Sequence, residues 1–256
     1  MKRFDTHVHL TDMALTAGGR LAEALLGAEA FLCCATSLAD SRAVVSLAAR
    51  KAKVFAAIGV HPAFCDEQAL PHLQESLEDI LRVQPERIRA VGEIGLDARK
   101  GQPPQVLQEA FLREQLSFAG AHGLPVSLHC VQAAQRLWEA LRAEGIRRGA
   151  VHGFSAGREL ARQFLDQGMY LGIGMAASRE NARRVREAIA YAPLDRLLLE
   201  TDSPSMPPPG YGAVNMPETI RLPARVVAEI KQLDIETVWA QTFENACTLF
   251  SIEGEI

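Results

Sequence analysis

The chain has 256 residues, 48% hydrophobic and 23% charged, an ordinary globular composition with enough length for one large core. Its net charge of −4 excludes a global positive field that draws in polyanions, so any nucleic-acid substrate must be held by local groups. Five cysteines without CxxC spacing exclude a disulfide framework and a thiolate zinc site, and no run approaches the roughly 18 uncharged residues of a membrane span.

Met1-Lys2-Arg3 leads straight into Phe4-Asp5-Thr6-His7, with no apolar signal core, so a cytoplasmic protein is expected. Short apolar runs then alternate with stretches of helical period. The predicted strands are Phe4–Val8, Phe31–Ala35, Val54–Gly59, Ala90–Ile94, Val126–His129, Ala150–His152, Met169–Ile173 and Leu197–Leu199. Predicted helices lie between them at Leu21–Leu26, Asp40–Ala52, Leu73–Val83, Gln105–His122, Ala133–Glu144, Arg158–Gln167 and Arg179–Ala190. Gly123, Gly145 and Gly168 stand where helix C-terminal glycines belong, and Ser178 is the expected N-cap of the last helix in this series. Ser203–Pro217 is a Pro/Gly-rich loop expected to shape a pocket rim, and two amphipathic helices near Glu218–Gln232 and Glu236–Leu249 are expected to pack on the outside. No linker, internal repeat or obligate protein partner is evident. The pattern predicts one domain over residues 1–256, a single (β/α)8 TIM-type barrel with extra C-terminal helices.

Six residues able to ligate metal sit where predicted strands end: His7, His9, Glu93, His129, His152 and Asp202. Strand ends converge only when the strands are parallel neighbours, and in an eight-stranded barrel the first and last strands are adjacent. His7 and His9, at i and i+2 on a strand, point to one face. A carboxylate such as Glu93 at the end of a buried strand is costly unless paired or bound to a cation. Glu200 and Asp202 share a face by the same alternation, so Glu200 is expected to touch metal or substrate.

Four imidazoles and two carboxylates exceed the three protein ligands of one catalytic zinc. Two divalent ions roughly 3.5–4 Å apart, sharing a carboxylate, would use them all. Mixed nitrogen and oxygen donors suit zinc, manganese, iron or cobalt, and magnesium less well. His61 follows the third strand and is expected to contact substrate. Arg179 opens a predicted helix, and with that helix's N-terminus it is expected to help hold phosphate. Cys130 is expected to point into the core, away from the His129 face.

Phe4-Asp5-Thr6-His7-Val8-His9-Leu10, Gly59-Val60-His61-Pro62, Val91-Gly92-Glu93-Ile94-Gly95-Leu96-Asp97, Leu124-Pro125-Val126-Ser127-Leu128-His129, His152-Gly153-Phe154-Ser155 and Leu199-Glu200-Thr201-Asp202-Ser203-Pro204 together resemble the TatD family of metal-dependent deoxyribonucleases, within the amidohydrolase superfamily of barrels. Asn215-Met216-Pro217 and Asn245-Ala246-Cys247-Thr248-Leu249-Phe250 resemble its C-terminal signature. The resemblance implies that His7, His9 and Asp202 hold one metal, His129 and His152 the other, with Glu93 bridging and Asp202 managing the proton of the attacking water. It implies 3′–5′ exonuclease or related DNase activity on single-stranded DNA ends or short phosphodiesters. The chain departs from the family pattern at Val131, where an arginine is common, and at Ala98-Arg99, where an aromatic residue is common; the ligand positions are untouched. The alternatives are the same site acting on a lactone, amide or carboxyl ester, and a non-catalytic metal-binding protein. Related barrels of the ester-cleaving kind often carry a carboxylated lysine where this chain has Glu93, which favours the phosphodiester.

Overall fold

The computed structural model describes residues 2–16, 19–179 and 181–255. Eight strands form one sheet in the order β1 to β8: β1 Phe4–Val8, β2 Ala30–Cys34, β3 Val54–Ile58, β4 Ile88–Asp97, β5 Val126–Val131, β6 Gly149–Val151, β7 Met169–Ile173 and β8 Leu197–Leu199. Every adjacent pair from β1 to β8 is parallel. The seam between β8 and β1 is made at their C-terminal ends. There the Asp202 amide donates to the His7 carbonyl (2.9 Å) and the His9 amide to the Ser203 carbonyl (2.8 Å). The Thr6 hydroxyl donates to the Leu199 carbonyl, and the Asp5 carboxylate accepts from Thr201 through both its amide and its hydroxyl.

Helices fill each connection: α1 Met13–Thr16 and α2 Arg20–Ala24, then α3 Leu38–Arg50, α4 Leu73–Leu81, α5 Gln105–His122, α6 Ala134–Ala143, α7 Arg158–Asp166 and α8 Arg183–Tyr191. After β8 come α9 Arg221–Lys231 and α10 Ile235–Phe250. One large apolar layer lies between strands and helices, with Phe31, Cys33, Val54, Ile58, Phe111 and Phe164 among its members. A second cluster fills the lumen. Phe4, Ala30, Leu32, Cys34, Phe55 and Ala57 alternate with the outward set, as period 2 requires.

The C-terminal end of α10 closes the lumen from below. Ala246, Leu249, Phe250 and Ile252 join the inner cluster, with the Phe250 ring 6.0 Å from that of Phe4. This corrects the expectation that both final helices pack on the outside. The first half of α10, with Val238 and Trp239, does belong to the outer layer. Its apolar end turns under the barrel, because an open lumen floor would leave Phe4 and Phe55 in water. Apolar residues therefore occupy the bottom of the lumen, and polar side chains gather at the opposite mouth.

Two further expectations are corrected. The helix placed at Arg179–Ala190 begins at Arg183, and its residue 180 lies outside the described residues. Met175–Ser178 forms a 3-10 turn and the N-cap of α8 is Ala182, not Ser178; Arg179 is extended, and its carbonyl accepts from the Ala182 amide (3.1 Å), which delays the helix start. Arg179 therefore stands on the connection before α8 and opens no helix. Cys130 is half-buried: it packs against the outer apolar layer, in line with the expectation, and also borders the mouth, since it lies one residue from the end of β5.

Candidate metal centre

Register irregularities in β1 and β4 aim the donors. In β1 the register shifts between Asp5 and Val8, so Phe4 lies in the lumen and yet Val8 lies in the outer layer. His7 and His9 thereby join Phe4 in facing inward. In β4 the shift falls between Val91 and Ile94: Ala90 is in the lumen, Val91 and Ile94 are outside, and Glu93 enters the mouth. Gly95 lets β4 lie close on β5, since a Cβ there would stand 2.0 Å from the His129 carbonyl oxygen.

Glu93 is the hub. Its Oε1 is 2.7 Å from His129 Nδ1, 2.8 Å from His152 Nε2 and 3.6 Å from His61 Nε2. Its Oε2 is 3.4 Å from His7 Nε2 and 3.5 Å from His9 Nε2. His9 Nε2 also reaches Asp202 Oδ1 at 3.3 Å. Asp202 has φ 58°, the left-handed region that aspartate tolerates better than most residues, and this bend turns its carboxylate back over β1. The structure thus brings together all six expected ligands, in clusters of His7, Glu93 and His152, and of His7, His9 and Asp202. His61 joins Glu93 and His129 in a third cluster.

The residues present fit divalent ions. His7 Nε2 and His152 Nδ1 are buried without a hydrogen-bond partner, which is costly in a protein interior unless something occupies the lone pair. His9 Nδ1 lies 2.8 Å from the Cys34 carbonyl, which can only accept, so Nδ1 carries a proton and Nε2, facing Asp202 and Glu93, is the nitrogen open to a cation once its own proton leaves. His7 Nδ1 is likewise held by the Ser127 hydroxyl at 3.0 Å. His61 differs. Its Nδ1 accepts the Ala63 amide (3.0 Å), so in the neutral ring the hydrogen sits on Nε2.

The charges are strongly coupled. Burial alone raises the Glu93 carboxyl, but His152, His7 and the hydrogen bonds from His129 and His152 outweigh it and hold the group well below the usual carboxylate range. For His152, burial is overcome by Glu93 and Glu200, and its pKa rises well above the ordinary value. His9 is raised to about 9, burial being outweighed by Asp202 and Glu93. Burial lowers His7, and it lowers His61 to about 4. Asp202 stays below its ordinary value against its burial, because His9 donates to it and His152 lies near.

A supporting layer surrounds these groups. Asp97, quoted above only as part of a motif, places Oδ2 3.2 Å from His129 Nε2 and is itself forked by Arg99. Glu93, Gly95 and Asp97 alternate along one strand face, as do Ser127 and His129, and that period-2 signal locates both supporting residues. Glu200 accepts the Gly153 amide and lies 3.6 Å from His152 Nδ1. Gly172 leaves it room, for a Cβ there would stand 2.2 Å from Glu200 Oε2. Above the donors lies a cavity of about 710 Å³, walled by His61, Phe64, Arg99, Arg179, Asp202 and Met206 among others. Pro204, Ser205 and Met206 bring the Pro/Gly-rich loop to its rim, as expected.

A parallel barrel with histidine and carboxylate donors gathered at its C-terminal mouth is the build of a metal-dependent hydrolase. Residues 4–251 match the family described as TatD related DNase, and the chain belongs to that family. It is 33% identical over 254 residues to an uncharacterized metal-dependent hydrolase, YjjV, of Escherichia coli K12, covering 97% of each chain. Bacillus subtilis YabD, an uncharacterized metal-dependent hydrolase, is 33% identical over 203 residues, 78% of each. The crystal structure of the E. coli YjjV TatD homologue superposes with a TM-score of 0.86 at 30% identity, covering 98% of both chains. A TatD family hydrolase from Entamoeba histolytica shares the fold at a TM-score of 0.86, 19% identity and 98% coverage of each chain. No described helix is long and apolar enough to cross a membrane.

Proposed function

We propose that this hydrolase cleaves phosphodiester bonds, as a deoxyribonuclease taking single-stranded DNA ends in a 3′–5′ exonuclease manner or short phosphodiesters. The observation that carries the reading is the convergence of four imidazoles on Glu93, with Asp202 against His9, at the floor of a cavity that also holds Arg99 and Arg179. The family's description as TatD related DNase supports the same substrate class. With a net charge of −4 and a pocket in place of a groove, a strand end suits the site better than the length of a duplex.

Two divalent ions held by His7, His9, Glu93, His129, His152 and Asp202 would supply the Lewis acidity that makes water a nucleophile at neutral pH and offsets charge on phosphoryl oxygens. Glu93, kept ionised by the imidazoles around it, would be the central carboxylate donor. Asp202 is open to the cavity, with a side-chain exposure of 22%, and its lowered pKa leaves it free to take the proton of the attacking water. His61, neutral with its hydrogen on Nε2, donates to a non-bridging phosphate oxygen. Glu200 orients His152 by holding the Gly153 amide beside it. Arg179 and Arg99 offer guanidinium groups to the phosphate from the cavity wall.

The test is release of nucleotides from a single-stranded oligonucleotide by metal-loaded protein. Activity is expected to vanish with chelator and to be lost in His129→Ala. Absence of release, or an unchanged rate in His129→Ala, overturns the reading.

A further inference from the structure

Phe64 is 57% exposed and yet lies in the wall of the catalytic cavity. Among the described residues it is the one Phe, Tyr or Trp that lines the cavity. Scattered surface apolar residues mean little, but here three of the nine large exposed hydrophobics, Met13, Phe64 and Met206, sit on this one rim. The backbone beneath the ring is fixed. Phe64 ends the 3-10 turn Pro62–Phe64, where its amide donates to the His61 carbonyl (2.9 Å) and the His61 side chain caps the Ala63 amide. Its centroid is 6.2 Å from the His61 ring at an interplanar angle of 65°, and more than half of the side chain is left open where it lines the cavity. His61 in turn reaches Glu93 at 3.6 Å. The ring thus stands one side chain away from the proposed phosphate position. On the rim, Met206 accepts a weak hydrogen bond from Arg179 (3.7 Å), which brings a soft apolar group and a cation together.

From this geometry we infer that Phe64 is a stacking platform for a nucleobase of the substrate, adjacent to the phosphate that enters the donor cluster. The inference rests on the phosphodiesterase reading and names its substrate as a nucleotide unit over an alkyl or sugar phosphate. An aromatic side chain has only two rotatable bonds to order on binding, and every base offers a π-face, so the platform selects for a base without selecting its sequence. It also supplies holding power that an acidic chain lacks in long-range charge.

Calorimetry on the manganese-loaded protein tests this with two ligands that share phosphate and sugar, thymidine 5′-monophosphate and methyl 2-deoxyribofuranoside 5-phosphate. Wild type is expected to prefer the nucleotide, and Phe64→Ala and Phe64→Leu to reduce that preference roughly 5- to 150-fold. Phe64→Trp is expected to keep it. Because the readout is a ratio within one protein, partial misfolding of a variant lowers both affinities without moving it. A ratio unchanged in Phe64→Ala, or preserved in Phe64→Leu, overturns the platform, as does a wild type indifferent to the base. A dimer abolished by Phe64→Ala with the ratio intact would assign the ring to a self-contact and also overturn it. Release of nucleotides from an oligothymidylate is followed in parallel. Normal release with an unmoved ratio refutes only the platform, whereas a base preference lost in Phe64→Ala without any release refutes only the phosphodiesterase.

Discussion

Glu93 and His61 stand 3.6 Å apart, yet their losses are expected to differ. Glu93→Ala removes the one group that touches five histidines, whereas His61→Ala removes a donor whose Nδ1 is already committed to the backbone. Initial rates should therefore fall further in Glu93→Ala, and equal losses would contradict the bridging role. Protons follow from the same cluster. His9 has a pKa of about 9 before any ion binds, above the ordinary 6.5, so its ion pairs with Asp202 and Glu93 stabilise the fold fully below pH 6.5. That contribution fades as pH rises through about 9. A divalent ion needs the neutral imidazole, so binding at pH 7 must expel this proton, and apparent metal affinity should climb between pH 6 and 9. Calorimetry in two buffers of different ionisation heat should count at least one proton released; a count of zero would refute the assignment. The candidate donor positions are legible in the sequence because each follows an apolar run. Asp97 and Ser127 were not singled out, since they act through His129 and His7 and carry no signal beyond alternation.

At the level of elements, the strands show where simple periodicity stops. β7 and β8 match the predicted bounds residue for residue, and β4 runs three residues past the expected Ile94 to Asp97. Strict alternation would send Phe4 and His7 to opposite faces. The bulged register of β1 puts both inside, and no local composition announces it. α1 spans only Met13–Thr16, too short to show a helical period. Packing between elements yields two predictions. In Gly172→Ala the new Cβ would displace the Glu200 carboxylate from Gly153, so metal affinity should drop roughly 10- to 100-fold while the circular dichroism spectrum stays native. Unchanged affinity would show that Glu200 does not steady His152. Asn245 on α10 donates to the Leu194 and Leu197 carbonyls at 2.9 and 2.8 Å, fastening the plugging helix to the start of β8. Asn245→Ala leaves both carbonyls unsatisfied and should cost about 2–3 kcal/mol in urea unfolding; a cost near zero would mean water replaces both bonds.

Over the whole molecule, the candidate donors come from the ends of β1, β4, β5, β6 and β8, so a bound ion would clamp the barrel across its mouth. An ion present at a hundred times its dissociation constant should stabilise the native state by about 2.7 kcal/mol, and chelator should remove that increment. A melting temperature indifferent to metal would argue against a site formed only on folding. The seam carries a consequence for biosynthesis. His7 and Asp202 are joined there by a backbone hydrogen bond, yet 195 positions separate them along the chain. A ribosome must therefore deliver nearly four-fifths of the polypeptide before the first- and last-made walls can meet. A nascent chain that ends before β8 would lack Asp202, so the full candidate donor set can assemble only once the last strand has emerged.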